Sequence, residues 1–175
     1  MRTLQATLAA TVWFAATVAT TPSVTPAHAD PAAGGCDPHT LAVAASAGQP
    51  GLGHRAVLLN FTLQPGAAAC QLTGYPTVDA QIEGAAPIHA AQTPGGYLGG
   101  ATPGVTVTLQ PGRGTHAMLE WVAAGDNHCQ IYGPAGAHGN LIVTPPGTAQ
   151  SFTVPISVGR NEGLCTLQVH PVTGD

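Results

Sequence analysis

Apolar and polar residues alternate with a period of two along most of the chain beyond residue 30, and no helical period competes with it. In Arg55 to Leu63, the side chains of Val57, Leu59, Phe61 and Leu63 share one face, while Asn60 and Thr62 lie on the other. Val78, Ala80 and Ile82 alternate with Asp79, Gln81 and Glu83. Val105, Val107 and Leu109 alternate with Thr106 and Thr108. Ala117, Leu119 and Trp121 alternate with an outward row of His116, Met118 and Glu120. Phe152, Val154 and Ile156 form another row. Cys165, Leu167 and Val169 alternate with Thr166, Gln168 and His170. Shorter strands are expected at Leu41 to Ala45, Cys70 to Leu72 and Leu141 to Thr144.

Turn residues punctuate these rows. Pro65-Gly66 and Pro111-Gly112 suit type II turns, because Pro presets φ at the first central position and Gly takes φ > 0 at the second. Each closes the pentapeptide Thr-Leu-Gln-Pro-Gly. The sequences diverge after it, so it reads as reused turn chemistry rather than a repeat. Pro145-Pro146-Gly147 ends another row. Residues 84–104 are rich in glycine and read as a long surface loop with one short strand around Ile88. Gly74 and the residue before Pro76 favour a sharp corner, with the Tyr75 ring packed over the core near the surface. Eight or nine short strands predict one all-β domain, an antiparallel immunoglobulin-like β-sandwich.

The first 29 residues have a different character. Arg2 precedes a mostly apolar run from Leu4 to Ala19, Pro22 and Pro26 break it, and Ala27-His28-Ala29 is a small-x-small cleavage site. This pattern predicts a signal peptide cut between Ala29 and Asp30. The apolar run falls short of the roughly 20 residues a membrane-spanning helix needs. No later stretch is long enough, so no transmembrane span is expected after processing. Lipidation at Cys36 is disfavoured, because Ala33 stands three positions before it and prolines separate it from the apolar run.

Removing 29 of 175 residues leaves 146, one domain with room for a real core. That portion has three cations, Arg55, Arg113 and Arg160, and no Lys, against eight carboxylates. Such a chain should not grip nucleic acid or an anionic membrane by charge. Its exterior must be weakly polar. Four cysteines remain, Cys36, Cys70, Cys129 and Cys165, and an even count in an exported chain favours two disulfides. Their spacings contain no C-x-x-C, which disfavours a zinc ribbon or a redox site. Four cysteines allow three pairings. Strands 41–45 and 55–63, joined through Gly51 to Gly53, read as antiparallel neighbours. A register centred there brings positions near 36 and 70 opposite each other, which favours Cys36–Cys70 and Cys129–Cys165.

Several segments together resemble a family of exported actinobacterial proteins, domain of unknown function number 4232. They are Gly53-His54-Arg55, Leu59-Asn60-Phe61-Thr62, Cys70-Gln71-Leu72-Thr73-Gly74-Tyr75-Pro76, Val105 to Gly112 followed by Trp121, Cys129, Leu141 to Gly147, and Cys165 to Val172. The resemblance implies a secreted or envelope-associated module, an immunoglobulin-like sandwich, and a structural role for all four cysteines. It implies no activity, substrate or active-site residue.

Catalytic templates fail on residue type or spacing. The serines after the cleavage site, Ser46, Ser151 and Ser157, lie outside any G-x-S-x-G. There is no H-E-x-x-H, EF-hand loop, Walker loop or dinucleotide fingerprint. The seven histidines after the cleavage site, His39, His54, His89, His116, His128, His138 and His170, make metal binding the best sharp hypothesis. His116 and Glu120 stand about 13 Å apart along one strand at ~3.3 Å per residue, too far to share an ion. His128 and His138, aided by Asp126, flank a glycine-rich loop with unspecific spacing. Asp79 and Glu83 are equally far apart for glycosidase chemistry, although Glu120 could approach either from a neighbouring strand. Asn60-Phe61-Thr62 is a chance sequon.

No cofactor is expected, and no catalytic or metal residue is assigned. The favoured function is a non-catalytic binding or scaffolding module facing an envelope protein, glycan or lipid. Pro76, Pro87 and Pro155 are placed to blunt sheet edges. The alternative is a hydrolase or metal-binding protein with a site assembled from dispersed His, Asp and Glu.

Overall fold

A computed structural model describes residues 34–123, 129 and 131–174, all within the unit Pro31–Asp175. The signal peptide, the Ala29/Asp30 cleavage site, Asp126 and His128 lie outside the described residues.

After a 3-10 turn at Pro38–Thr40, capped by the Asp37 carboxylate, the described residues form twelve strands. These are β1 (Leu41–Ala47), β2 (His54–Leu63), β3 (Cys70–Thr73), β4 (Thr77–Ile82), β5 (Ile88–His89), β6 (Ala91–Gln92), β7 (Thr106–Leu109), β8 (Thr115–Val122), β9 (Ala137–Thr144), β10 (Phe152–Val158), β11 (Cys165–Val169) and β12 (Thr173–Gly174). The larger sheet has the order β1-β2-β8-β11-β6, with β12 also pairing β8; a second has the order β10-β9-β4-β5, and β3 pairs with β7. All pairings between these strands are antiparallel except the two-residue contact of β6 with β11.

The result is a β-sandwich, and one core explains it. Leu59, Phe61, Ala117 and Leu119 from the larger sheet meet Val78, Ala80, Leu141 and Val143 from the second, all fully buried. Leu72 and Leu109 from β3 and β7 join the same cluster. The alternation expected at 57–63, 78–82, 117–121 and 165–169 therefore marks the inward faces. Burying each such side chain contributes on the order of 1.5–3 kcal/mol.

Disulfides Cys36–Cys70 and Cys129–Cys165 staple the chain in sequential pairs. Gly66 and Gly112 take φ of +83° and +79° in their Pro-Gly turns, each closed by an i to i+3 hydrogen bond from Ala67 to Gln64 and from Arg113 to Gln110. Edge strand β10 carries Pro155.

Three expectations need correction. The strands exceed eight or nine, because residues 84–104 form two short strands, not one, and Thr173–Gly174 adds another. Val105 is 48% exposed and precedes β7 instead of joining its inward row. Most important, Glu120 and His170 are on the outward row as read, but that row is not wet: each is 1% exposed. The loop after β6 folds back over it.

Candidate functional site

Glu120 lies near the end of β8, beside Ala56 of β2 and Gln168 of β11 in register. A carboxylate fully removed from water needs partners for its lone pairs. Four groups converge on it. The backbone N–H groups of Tyr97 and Leu98 donate to Oε1 and Oε2 at 2.9 and 3.0 Å. His54 Nδ1, at the start of β2, lies 2.7 Å from Oε1. His170 Nε2, just beyond β11, lies 3.5 Å from Oε2 in an electrostatic contact.

The loop 93–100 lies against this cluster because it is built from glycine. A Cβ at Gly96 would stand 2.4 Å from Glu120 Oε2 and 3.1 Å from His170 Nε2. One at Gly100 would stand 2.4 Å from both the Gly95 Cα and the Pro94 carbonyl oxygen, where the loop folds on itself. Gly99 packs on Met118, covering the next residue of the outward row. The loop's near end is held by Thr93: its carbonyl accepts from His170 Nδ1 at 3.0 Å, and its hydroxyl donates to Gln168 at 3.1 Å.

Burial alone would push the Glu120 carboxyl up. The N–H groups of Leu98 and Tyr97, with the rings of His54 and His170, outweigh it and hold the group below its ordinary value. Glu120 is therefore an anion, which can only accept, so the proton on His54 sits at Nδ1. The same logic puts a proton on His170 Nδ1, opposite the Thr93 carbonyl.

The cluster supports an exposed tip. The Tyr97 ring stacks on the His54 ring at 4.4 Å between centroids and 18° between planes, and remains 54% exposed. Leu52 lies in the turn that joins β1 to β2, next to Gly51 in the chain. Gly51 and His54 exchange backbone hydrogen bonds across Leu52 and Gly53, whose φ values of +41° and +85° have the signature of a type I′ turn. That turn favours Asn or Gly at its first central position. Leu52 occupies it with a β-carbon in the disfavoured left-handed region and is 87% exposed. Gly51 lies against the Leu98 and Tyr97 side chains, so the two loops meet.

A carboxylate on Nδ1 is also how an imidazole is readied as a base at Nε2. Here the ring face is taken by Tyr97, and among the described residues no hydroxyl or thiol hydrogen-bonds to His54.

The other sequence candidates do not gather. Asp79 pairs with His89 at 2.7 Å on an exposed surface. Glu83 and His138 line an open depression of about 600 Å³ on β4 and β9. His138 Nδ1 contacts Ser157 Oγ at 3.0 Å, an exposed pair to which no carboxylate is hydrogen-bonded among the described residues. Glu120 does not approach Asp79 or Glu83 from a neighbouring strand: β8 pairs with β2, β11 and β12, while β4 pairs with β5 and β9. Cys36, Cys70, Cys129 and Cys165 are all in disulfides. Tyr75 is half-buried at its corner, where Gly74 takes φ +95°. Among the described residues no group of three His, Cys, Asp or Glu side chains is arranged to hold a metal ion.

Sequence reading missed the joint role of His54, Tyr97 and Leu52. Its one local signal was the glycine pairs Gly95-Gly96 and Gly99-Gly100, which permit close approach to a neighbour.

The model of the family Domain of unknown function (DUF4232) matches residues 36–173. The chain belongs to the DUF4232 family. Both disulfides and every described strand fall within the matched DUF4232 segment, apart from the last residue of β12. No curated protein and no solved structure matches the chain.

Proposed function

We propose that this protein is an exported, non-catalytic binding module whose contact surface is the tip formed by Leu52, Tyr97 and Leu98. One observation carries the reading: a Leu is held at φ +41° and 87% exposed, in the turn that meets the Tyr97 loop, whose exposed ring stacks on a histidine bound to a buried carboxylate. Backbone strain and exposed apolar surface each cost stability, and their coincidence at one tip points to a function that offsets them. Tyr and Leu present area at low conformational cost and suit contact with an uncharged partner, an envelope protein, glycan or lipid. Two disulfides and the N-terminal signal pattern support an extracytoplasmic location. Among the described residues no helix is long and apolar enough to cross a membrane.

Binding of the purified protein to envelope fractions from its producing cell tests the reading. Tyr97→Ala and Leu52→Gly should each weaken binding by about tenfold or more with folding intact, the loss expected for central anchors. Full binding by the double variant would refute it. The Glu120–His54 couple favours one second reading, a hydrolase with His54 as base. Turnover of an ester, peptide or glycoside lost in His54→Ala would establish it.

A further inference from the structure

The larger sheet ends in a strand that lacks the usual protection. β1, Leu-Ala-Val-Ala-Ala-Ser-Ala, has no charge and no proline over its 7 residues. Of the other sheet ends, β6 and β5 are two residues long, β3 and β7 are four, and β10 carries Pro155. Exposed, uncharged edges of this length are templates for another strand.

Hydrogen-bond parity shows which groups are on offer. Gln64 N–H donates to Thr40 O, and Gly48 N–H to Ala56 O. These bonds flank β1 and fall in the register that pairs Leu41 with Leu63 and Ala47 with Val57. Even-numbered β1 residues are therefore the ones bonded to β2. The next pair confirms it from the other side of β2: Ala123 N–H donates to Gly53 O, so odd-numbered β2 residues serve β8. The N–H groups of Val43, Ala45 and Ala47, and the carbonyls of Leu41, Val43 and Ala45, thus point away from the sheet. None has a backbone partner among the described residues. Leu41 N–H is already bonded to Pro38 O. β10 approaches β1 across the sandwich but forms no ladder with it.

We propose that the occupant of this edge is a second copy of the chain, pairing β1 with β1 antiparallel about a two-fold axis through Ala44. That register is the one in which the free groups of the two copies meet: Val43 and Ala45 of the second copy exchange both hydrogen bonds, and Ala47 N–H donates to the Leu41 carbonyl of the second copy. Ala44 then faces itself in a non-hydrogen-bonded pair, where Cα atoms approach to about 4.5 Å. Small side chains fit there. Ala42 faces Ser46, also small, and both are exposed. No like charges meet across the axis, and one larger sheet runs through both copies. The contact is isologous and closes on itself. An edge spanning about 23 Å at ~3.3 Å per residue is smaller than most stable interfaces, so the dimer is weak and concentration-dependent. This surface is separate from the Tyr97 tip and does not depend on its role.

Analytical ultracentrifugation of the exported protein, from about 1 µM to 1 mM, tests the proposal. A monomer–dimer equilibrium is expected. Ala45→Pro removes a donor that faces outward, so it should leave β1 on β2 and the melting temperature near its original value while weakening dimerisation about tenfold or more. Ala44→Lys should do the same by placing like charges opposite each other. Ala44→Cys should give a covalent dimer on mild oxidation, because the two cysteines would face each other, whereas Ala42→Cys should not. A protein monomeric throughout the range, a dimer unchanged in Ala45→Pro, or equal cross-linking at positions 42 and 44 would overturn it. So would a monomer whose β1 instead takes up a peptide from another protein.

Discussion

His54 Nδ1 and Glu120 Oε1 lie 2.7 Å apart, so the ring on which Tyr97 stacks is held by a carboxylate buried between the sheet and the loop 93–100. Four strained or buried elements meet at this bond: the Leu52 turn, the glycine loop, the outward row of β8 and the end of β11. Glu120→Gln exchanges one acceptor for an amide whose hydrogens face the Tyr97 or Leu98 N–H. Leaving a buried donor without an acceptor costs about 1–3 kcal/mol. Urea denaturation should show that loss, with faster amide exchange at Tyr97 and Leu98 than at Val78 in the distant sheet. Unchanged stability would mean that the loop does not depend on the carboxylate.

The same group makes stability depend on pH in one direction. Burial raises its pKa and the bonds from Leu98, Tyr97, His54 and His170 lower it, leaving it below the ordinary 4.5. Between those two values the unfolded chain binds more protons than the folded one, so stability rises with pH there. The contribution is fully present above the unfolded value and is lost as pH falls through the folded one. The stability gap between the parent and Glu120→Gln should hold from pH 5 to 7 and shrink below about pH 4. Chemical denaturation across that range measures it; a gap constant down to about pH 2 would contradict the depressed pKa.

Period two was enough to find the inward rows, because a half-buried strand must alternate. It says which residues share a face and not whether that face stays wet. Glu120 and His170 stand on the row that alternation assigns them, yet each is buried, which alternation alone does not foresee. What covers them is a loop, and the glycines of residues 95–100 show that the chain bends without showing where it lands. His54 and Glu120 are 66 residues apart, and only the pairing of β2 with β8 brings them together. The disulfides were more legible, since the short turn between β1 and β2 fixes a register that carries Cys36 towards Cys70.

Those disulfides close loops of almost equal length, with separations of 34 and 36 residues. Chain entropy grows only as the logarithm of loop length, so the two should be similar on that count. Replacing either pair by Ser should cost about 2–5 kcal/mol. Non-reducing peptide mapping should recover Cys36 joined to Cys70 and Cys129 to Cys165. Any measured inequality between the two double variants then reports native packing around the bridge.

Export processing has an equally direct check. N-terminal sequencing of the protein recovered from medium or envelope should begin at Asp30, after Ala27-His28-Ala29. A retained Met1 would remove the signal peptide and with it the main support for an extracytoplasmic partner.

Leu52 separates function from folding most sharply. Its φ of +41° puts the β-carbon in a region costing about 1–2 kcal/mol for an L-residue, and its side chain, 87% exposed, recovers little by burial. Replacing it with Gly relieves the strain at the cost of a more flexible unfolded chain, and Asn tolerates the left-handed region while meeting the usual preference of the turn. Leu52→Asn should therefore raise stability by about 0.5–1 kcal/mol, read as a higher urea midpoint with an unchanged slope. The same variant should bind envelope fractions more weakly. A residue selected for folding would show the opposite sign in the first measurement, and a residue without a role in contact would show no change in the second. Higher stability together with weaker binding is the signature of a side chain kept in place for what it touches outside the domain.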